Sequence, residues 1–195
     1  MELILVRHSI TQGNLERRFI GRTDQPLVPQ GEQLAARRAA GIPAVEHVFV
    51  SPLQRCRRTA DILWPHVEHT VLEGLRETDF GDWEGMSGDE LEAHPRFQAW
   101  LAQGCEGDLP TMETREQCAA RAGRALEQII AYGRANGLAT VGVATHGGTL
   151  MAMLWAFAQP ERQYHDWLTP NCGGWRVRVG EGERFLTLIA PLEPL

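Results

Sequence analysis

The chain has 195 residues, 43% hydrophobic and 23% charged, which suits one globular domain with a buried core and argues against a disordered chain. No apolar run approaches the ~20 residues that span a bilayer. The start, Met1-Glu2-Leu3-Ile4-Leu5-Val6-Arg7, lacks the basic region and cleavage site of a signal peptide, so a cytoplasmic protein with no membrane partner is expected. Residues 1–58 carry nine arginines against five acids, a net of +4, while residues 59–195 carry ten against twenty, a net of −10. A basic N-terminal third inside a chain of net charge −6 points to a local anion site and argues against a nucleic-acid surface. All 19 basic residues are arginine, for which genomic base composition is a sufficient cause. Cys56, Cys105, Cys118 and Cys172 show no paired spacing of a zinc or redox motif, so reduced thiols are expected.

Residues 3–6 form a short apolar run ending at Arg7-His8 and read as a buried strand. Thr11 to Asp24 is polar and irregular, a loop with room for one helical turn. Pro29 followed by Gly31 to Ala36 predicts a helix that stops at Gly41-Ile42-Pro43. His47 to Val50 is a second strand, and Leu53 to Leu63 a helix with Ser51 as N-cap and Pro52 at its first position. Val67 to Leu72 reads as a third strand, and 73–86, with Gly74, Gly81 and Gly85, as a loop. Two short helices are expected at 87–94 and 95–103, broken by Pro95. A longer one runs from Thr114 to Ala135, its apolar side marked by Cys118, Ala122, Ala125, Ile129 and Tyr132, and ends at Asn136-Gly137. Thr140 to Ala144 is another buried strand, followed by Thr145-His146-Gly147-Gly148 and a helix over 149–158. Strands at 174–179 and 184–190, joined by Gly180-Glu181-Gly182, complete the series. Such alternation predicts an α/β sandwich with a largely parallel sheet, and nothing divides 1–195 into more than one domain.

Two predicted strand ends carry histidines into loops, His8 beside Arg7 and His146 beside Gly147-Gly148. Ligands of open α/β sheets bind outside the carboxyl ends of the strands, so both histidines are expected at one crevice. Arg55, early in its helix, and the acidic loop with Glu77 and Asp79 supply the remaining parts that phosphoryl transfer needs: cations for the equatorial oxygens and a carboxyl group for proton transfer. Arg7 and Arg55 would keep His8 unprotonated by like-charge repulsion and would bind a dianionic phosphate through charge-assisted hydrogen bonds. His146 would add a third contact as a donor. Glu77 would protonate the leaving alcohol and then activate water against the phosphohistidine.

These residues resemble the histidine phosphatase (phosphoglycerate mutase-like) superfamily, in four segments in order. Leu5 to Asn14 is similar to the opening motif, in which the resemblance makes His8 the phosphorylated nucleophile and Asn14 a contact of phosphate or substrate. Ser51 to Ala60 is similar to the second motif, with Arg55 a phosphate ligand. Leu75 to Gly85 is similar to the acid loop and selects Glu77 over Asp79 as proton donor. Thr145-His146-Gly147-Gly148 is similar to the closing motif. The resemblance implies a three-layer α/β/α sandwich, phosphate contacts from Arg7, Asn14, Arg55, His146 and Gly147, and no metal or other cofactor. The partner it implies is a small phosphorylated metabolite, met by a monomer or homodimer. One departure is Ser9, where glycine is commonest; a serine there puts fine positioning in question.

Mutases of the superfamily tend to carry an insertion after the acid loop and a basic C-terminal tail, and this chain ends Ala190-Pro191-Leu192-Glu193-Pro194-Leu195, which favours a phosphatase. The run Phe80 to Gly85 resembles the α-ribazole phosphatases of cobalamin assembly. A mutase of the same chemistry is the alternative, and Ser9 motivates a third, a non-catalytic phospholigand-binding protein. Residues 78–112 are expected to cap the site, where Trp83, Met86, Trp100 and Met112 either stack on a substrate base or pack the short helices. Arg17, Arg18 and Arg22 either reach a second anionic group or lie in solvent. His66 and His69 read as surface residues, His47 and His94 carry no functional claim, and His165 has at most a rim position.

Overall fold

In the computed structural model, which describes residues 1–103 and 111–192, the strands are β1 (Glu2–Arg7), β2 (His47–Val50), β3 (His69–Val71), β4 (Thr140–Thr145), β5 (Ala158–Gln159), β6 (Gly174–Val179) and β7 (Leu186–Leu192). The helices are α1 (Gln12–Leu15), α2 (Pro29–Ala39), α3 (Gln54–Leu63), α4 (Gly88–Leu91), α5 (Pro95–Ala102), α6 (Arg115–Ala135) and α7 (Gly147–Phe157). β1 explains the layering. Its side chains alternate, and Leu3 and Leu5 on one face are as completely buried as Ile4 and Val6 on the other. A strand buried on both faces needs cover on both. Leu3 and Leu5 pack with Ala122, Leu126 and Ile129 of α6 and Leu150 and Met153 of α7. Ile4 and Val6 pack with Cys56, Ala60 and Leu63 of α3, with Ala39 of α2 alongside. The result is the expected α/β/α sandwich.

The sheet order is β3-β2-β4-β1-β6-β7-β5. Only β6 runs against its neighbours; the other pairings are parallel. The register decides where the chemistry goes. Arg7 pairs with Thr145 and Val50 with Ala144, so His8, Ser51 and His146 leave the same end of three adjacent parallel strands.

Some boundaries differ from expectation for physical reasons. α3 begins at Gln54 with Leu53 as its N-cap, a residue with no side-chain acceptor to offer; Ser51 lies two residues earlier, where its hydroxyl accepts from the Leu53 N–H at 3.4 Å and meets His146 Nε2 at 2.7 Å. α7 starts at Gly147, two residues early, taking both glycines of the motif into its first turn. Pro95 opens α5, and His94 caps it by accepting from the Arg96 N–H. Tyr132, placed by periodicity on the apolar side of α6, is 37% exposed and leans edge-on against Phe49. The 73–86 loop contains 3-10 turns at Glu73–Leu75 and Gly81–Trp83, and the two-residue β5 has no counterpart among the expected strands.

Trp83, Leu91 and Phe97 form a separate apolar cluster with Phe19, Met86, Trp100 and Met112, and of these Phe19 lines the cleft described below. The expected cap includes residues 104–110, and these, Cys105 among them, lie outside the described residues, as do residues 193–195. Cys56, Cys118 and Cys172 are buried free thiols. No helix among the described residues is long and apolar enough to cross a membrane.

Candidate active site

The carboxyl ends of β1, β2 and β4 open into a cleft of about 160 Å³ lined by Arg7, His8, Asn14, Arg55, Glu77 and Gly147, with Phe19, Phe80, Met151 and Leu168 further out. His8 is 4% exposed, and its Nδ1 lies 2.6 Å from the Ser9 carbonyl oxygen. A carbonyl only accepts, so Nδ1 carries the proton and Nε2 keeps its lone pair. Burial, then the guanidiniums of Arg55 and Arg7, hold His8 well below the ordinary histidine pKa, while the Ser9 contact works the other way. The ring is neutral, with one tautomer selected by the backbone.

Arg55 is 1% exposed and held on four sides. Its Nη1 donates to Thr23 O at 2.8 Å, its Nη2 to Gly21 O at 2.9 Å and Ile20 O at 3.3 Å, and its Nε to His146 Nδ1 at 3.2 Å. Nη1 retains a second N–H for an anion. Arg7 donates from Nη1 to Thr169 O at 2.8 Å, and its buried Nε has no acceptor among the described residues. An unpaired buried donor beside a cleft is a place where an incoming oxygen is favoured.

His146 sits differently from expectation. Because Nδ1 accepts from Arg55, Nε2 carries the proton and donates to Ser51 Oγ at 2.7 Å. Both nitrogens are engaged inside the protein, the residue is fully buried, and it is not among the side chains lining the cleft. It therefore offers no free N–H to a phosphate in this geometry. Its ring stands edge-on to His8, with centroids 5.2 Å apart, and it braces Arg55. Burial and then Arg55 press its pKa well below the ordinary value.

Glu77 reaches the cleft from the acid loop. Its Oε1 accepts from Thr78 N at 2.9 Å and Thr149 N at 3.0 Å, and its Oε2 from Gly148 N at 3.2 Å. The last two are orphan N–H groups of the first turn of α7. Gly148 permits this approach, since a Cβ would come 2.8 Å from Glu77 Oε1. Gly147 completes that side of the cleft, and its N–H has no acceptor among the described residues. Asp79, the other carboxylate of the loop, bonds the Gly81 N–H at 2.8 Å and is not a lining residue.

Asn171 is a member of the site that the sequence does not single out. Its Nδ2 donates to His8 O at 3.0 Å, Ser9 O at 3.3 Å and Asn14 Oδ1 at 3.1 Å. Asn14 Oδ1 also accepts from Thr11 N, so the Asn14 amide is oriented with its Nδ2 left for the cleft. Asn171 carries no motif signal; it meets the site only through the fold. Ser9 does not intrude: its hydroxyl donates to Gly31 O at 2.6 Å, tying the nucleophile loop to α2.

Most other candidates lie away from the cleft lining. Arg18 lines the cleft but is paired with Glu16 and Glu90, and Arg22 lies 3.7 Å from Asp79. Trp83, Met86, Trp100 and Met112 pack together. His69 pairs with Asp61, His66 is exposed, and His47 is buried against Thr70. His165 is exposed and is not among the lining residues. Among the described residues no group of three or more His, Cys, Asp or Glu side chains could hold a metal ion.

The chain is 35% identical over 134 residues to the probable phosphoglycerate mutase GpmB of Escherichia coli O1:K1 / APEC, covering 65% of this chain and 62% of that protein, less than two thirds of its length. The crystal structure of TTHB049 from Thermus thermophilus superposes with a TM-score of 0.74 at 32% identity, over 99% of each chain. The α-ribazole phosphatase of Shigella flexneri superposes with a TM-score of 0.83 over 100% of this chain and 97% of that one; at 20% identity this speaks for the fold alone. Residues 3–190 match the histidine phosphatase superfamily, branch 1. That span runs from the strand that delivers His8 into the last strand of the sheet, and the chain belongs to the histidine phosphatase superfamily.

Proposed function

We propose that the protein is a metal-independent phosphomonoesterase that carries the phosphoryl group on His8 Nε2 and passes it to water. The observation that carries the reading is the His8 tautomer: a buried, neutral imidazole with Nε2 unprotonated, flanked by Arg7 and Arg55 at one cleft. Nε2 attacks phosphorus as the ester oxygen departs, and Arg7, Arg55, the Asn14 amide and the Gly147 N–H receive the equatorial oxygens. Glu77 gives its proton to the departing oxygen and, as a carboxylate, takes one from the water that releases phosphate from His8. The arginines supply the positive charge that a divalent ion supplies elsewhere.

Hydrolysis is favoured over isomerisation by the mouth of the cleft. Phe19, Phe80, Met151 and Leu168 stand there, and Arg18 is already paired with two acids, so the described residues reserve no cation for a second anionic group. Such a mouth suits an apolar or aromatic leaving group, and α-ribazole 5′-phosphate, an intermediate of cobalamin assembly, is the first candidate substrate. The free thiols of Cys56, Cys118 and Cys172 suit a reducing cytoplasm. The second reading is a mutase, favoured by the 35% identity to a probable phosphoglycerate mutase.

The test is phosphate release by wild type and His8→Ala from p-nitrophenyl phosphate, α-ribazole 5′-phosphate and 3-phosphoglycerate, with and without EDTA. Release by wild type alone supports the reading. Isomerisation of phosphoglycerate without free phosphate replaces it with the mutase, and loss of activity in EDTA removes the metal-independent mechanism.

A further inference from the structure

The backbone that presents Glu77 is gripped on both sides by one ion pair. Upstream, Arg121 of α6 donates from Nη1 to Gly74 O at 2.9 Å and to Arg76 O at 2.8 Å. Downstream, the Glu113 N–H donates to Asp79 O at 2.9 Å, and the Asp79 N–H donates to Glu113 Oε2 at 3.4 Å. The two side chains close on each other as a fork, Nε to Oε1 at 2.8 Å and Nη2 to Oε2 at 2.6 Å, with 20% and 16% of their side-chain surfaces exposed. A forked pair fixes both groups in one relative orientation, which a single contact does not.

Two further contacts tighten the clamp. Gly74 lies so close to α6 that a Cβ would come 2.9 Å from that of Ala125. Arg76 O also accepts from Thr149 Oγ1 at 2.5 Å, which ties the loop to the turn whose N–H groups hold the Glu77 carboxyl group. Neither Arg121 nor Glu113 lines the cleft, so neither touches a substrate there.

We propose that the Arg121–Glu113 pair is a positioning device for the proton donor, holding Glu77 at the leaving-group oxygen while His8, Arg7 and Arg55 are held by other elements. The inference rests on the reading of Glu77 as the general acid. In the first step the Nε2–P bond forms, the P–O bond breaks, and the Glu77 proton goes to the departing oxygen. A displacement of that carboxyl by about 1 Å is enough to cost roughly 10²-fold in this step. The defect is selective. An alkoxide departs poorly without a proton, whereas p-nitrophenolate departs without one.

The experiment compares kcat/KM, which reports the steps up to release of the alcohol, for p-nitrophenyl phosphate and for a primary alkyl phosphate that wild type turns over. The variants are Glu113→Gln, the double variant Glu113→Gln/Arg121→Gln, and Glu77→Gln as reference. The double variant avoids leaving one buried charge without its partner, so a folded protein is available even if Arg121→Gln alone is not. The alkyl-to-aryl ratio is expected to fall about tenfold or more in the clamp variants, and by roughly 10²–10⁴ in Glu77→Gln. A clamp that is merely structural lowers both substrates together, and that result, or no change in either, overturns the inference while Glu77→Gln keeps its selective loss. If Glu77→Gln itself shows no selectivity, the acid role falls and the positioning role falls with it.

Discussion

At the floor of the cleft, His8 and Arg55 are 4% and 1% exposed and each is fixed by backbone carbonyls; at the mouth, Leu168 is 62% exposed and Phe19, Phe80 and Met151 are half-buried. The floor belongs to the ends of three parallel strands and the loops they feed, so its geometry is set by the sheet. The mouth is assembled from the loop after α1, the acid loop, α7 and the turn after residue 167, which the sheet does not hold in common. The difference teaches a division of labour under the proposed function: the buried floor would read the phosphoryl group, and the more exposed rim what the phosphoryl group is attached to.

The largest effect expected at the floor is that of Arg55→Lys. A lysine cannot fork onto Thr23 O and Gly21 O while reaching His146, so kcat/KM should fall roughly 10²–10³-fold. The loss should be equal for aryl and alkyl esters; a loss confined to one class would break the division. Asn171→Ala should cost about tenfold, again on all substrates, because it removes one of the bonds that orient the Asn14 amide and one of those holding the His8 backbone. Unchanged kinetics in that variant would remove Asn171 from the account. At the rim, Leu168→Ala should lower kcat/KM about three- to fivefold for an aromatic ester and leave a small alkyl phosphate unaltered. Equal losses on both would place Leu168 with the floor.

The subtlest expected effect is on stability. His8 and His146 are neutral in the fold, with pKa values below the ordinary 6.5. As pH drops below about 6.5 the unfolded chain takes up protons that the native state refuses, so stability falls in that direction. Denaturant midpoints between pH 7.5 and 5.5 should show this slope in wild type and a shallower one in His8→Ala. Equal slopes would mean that His8 is not held neutral by the floor.

The same division governs what is legible in the sequence. Short apolar runs ending at Arg7-His8 and Ala144-Thr145-His146 locate two strand ends and hence the floor, because strand periodicity and burial are local properties. Asn171 is silent since its partners His8 and Asn14 are more than 150 residues away and its own surroundings, Thr169 to Gly173, carry no periodicity. His146 is legible as a residue but not as a geometry: which ring nitrogen faces Arg55 depends on Ser51, a contact across 95 residues. Ser51 reads as a helix cap because its local pattern with Pro52 fits one, whereas α3 starts at Gln54 and the Ser51 hydroxyl meets His146 across the fold. The Arg121–Glu113 clamp reads in sequence as two charges near the start of a helix, and its meaning comes from the loop it grips.

The central claim is that phosphorus bonds to His8 Nε2, and the most direct measurement is rapid acid-free quenching of wild type during turnover of a ³²P-labelled ester, followed by peptide mapping. The account predicts a base-stable, acid-labile label on the peptide containing His8, linked through Nε2, and none in His8→Ala. Steady hydrolysis by wild type with no labelled protein, or with the label on another residue, would contradict it.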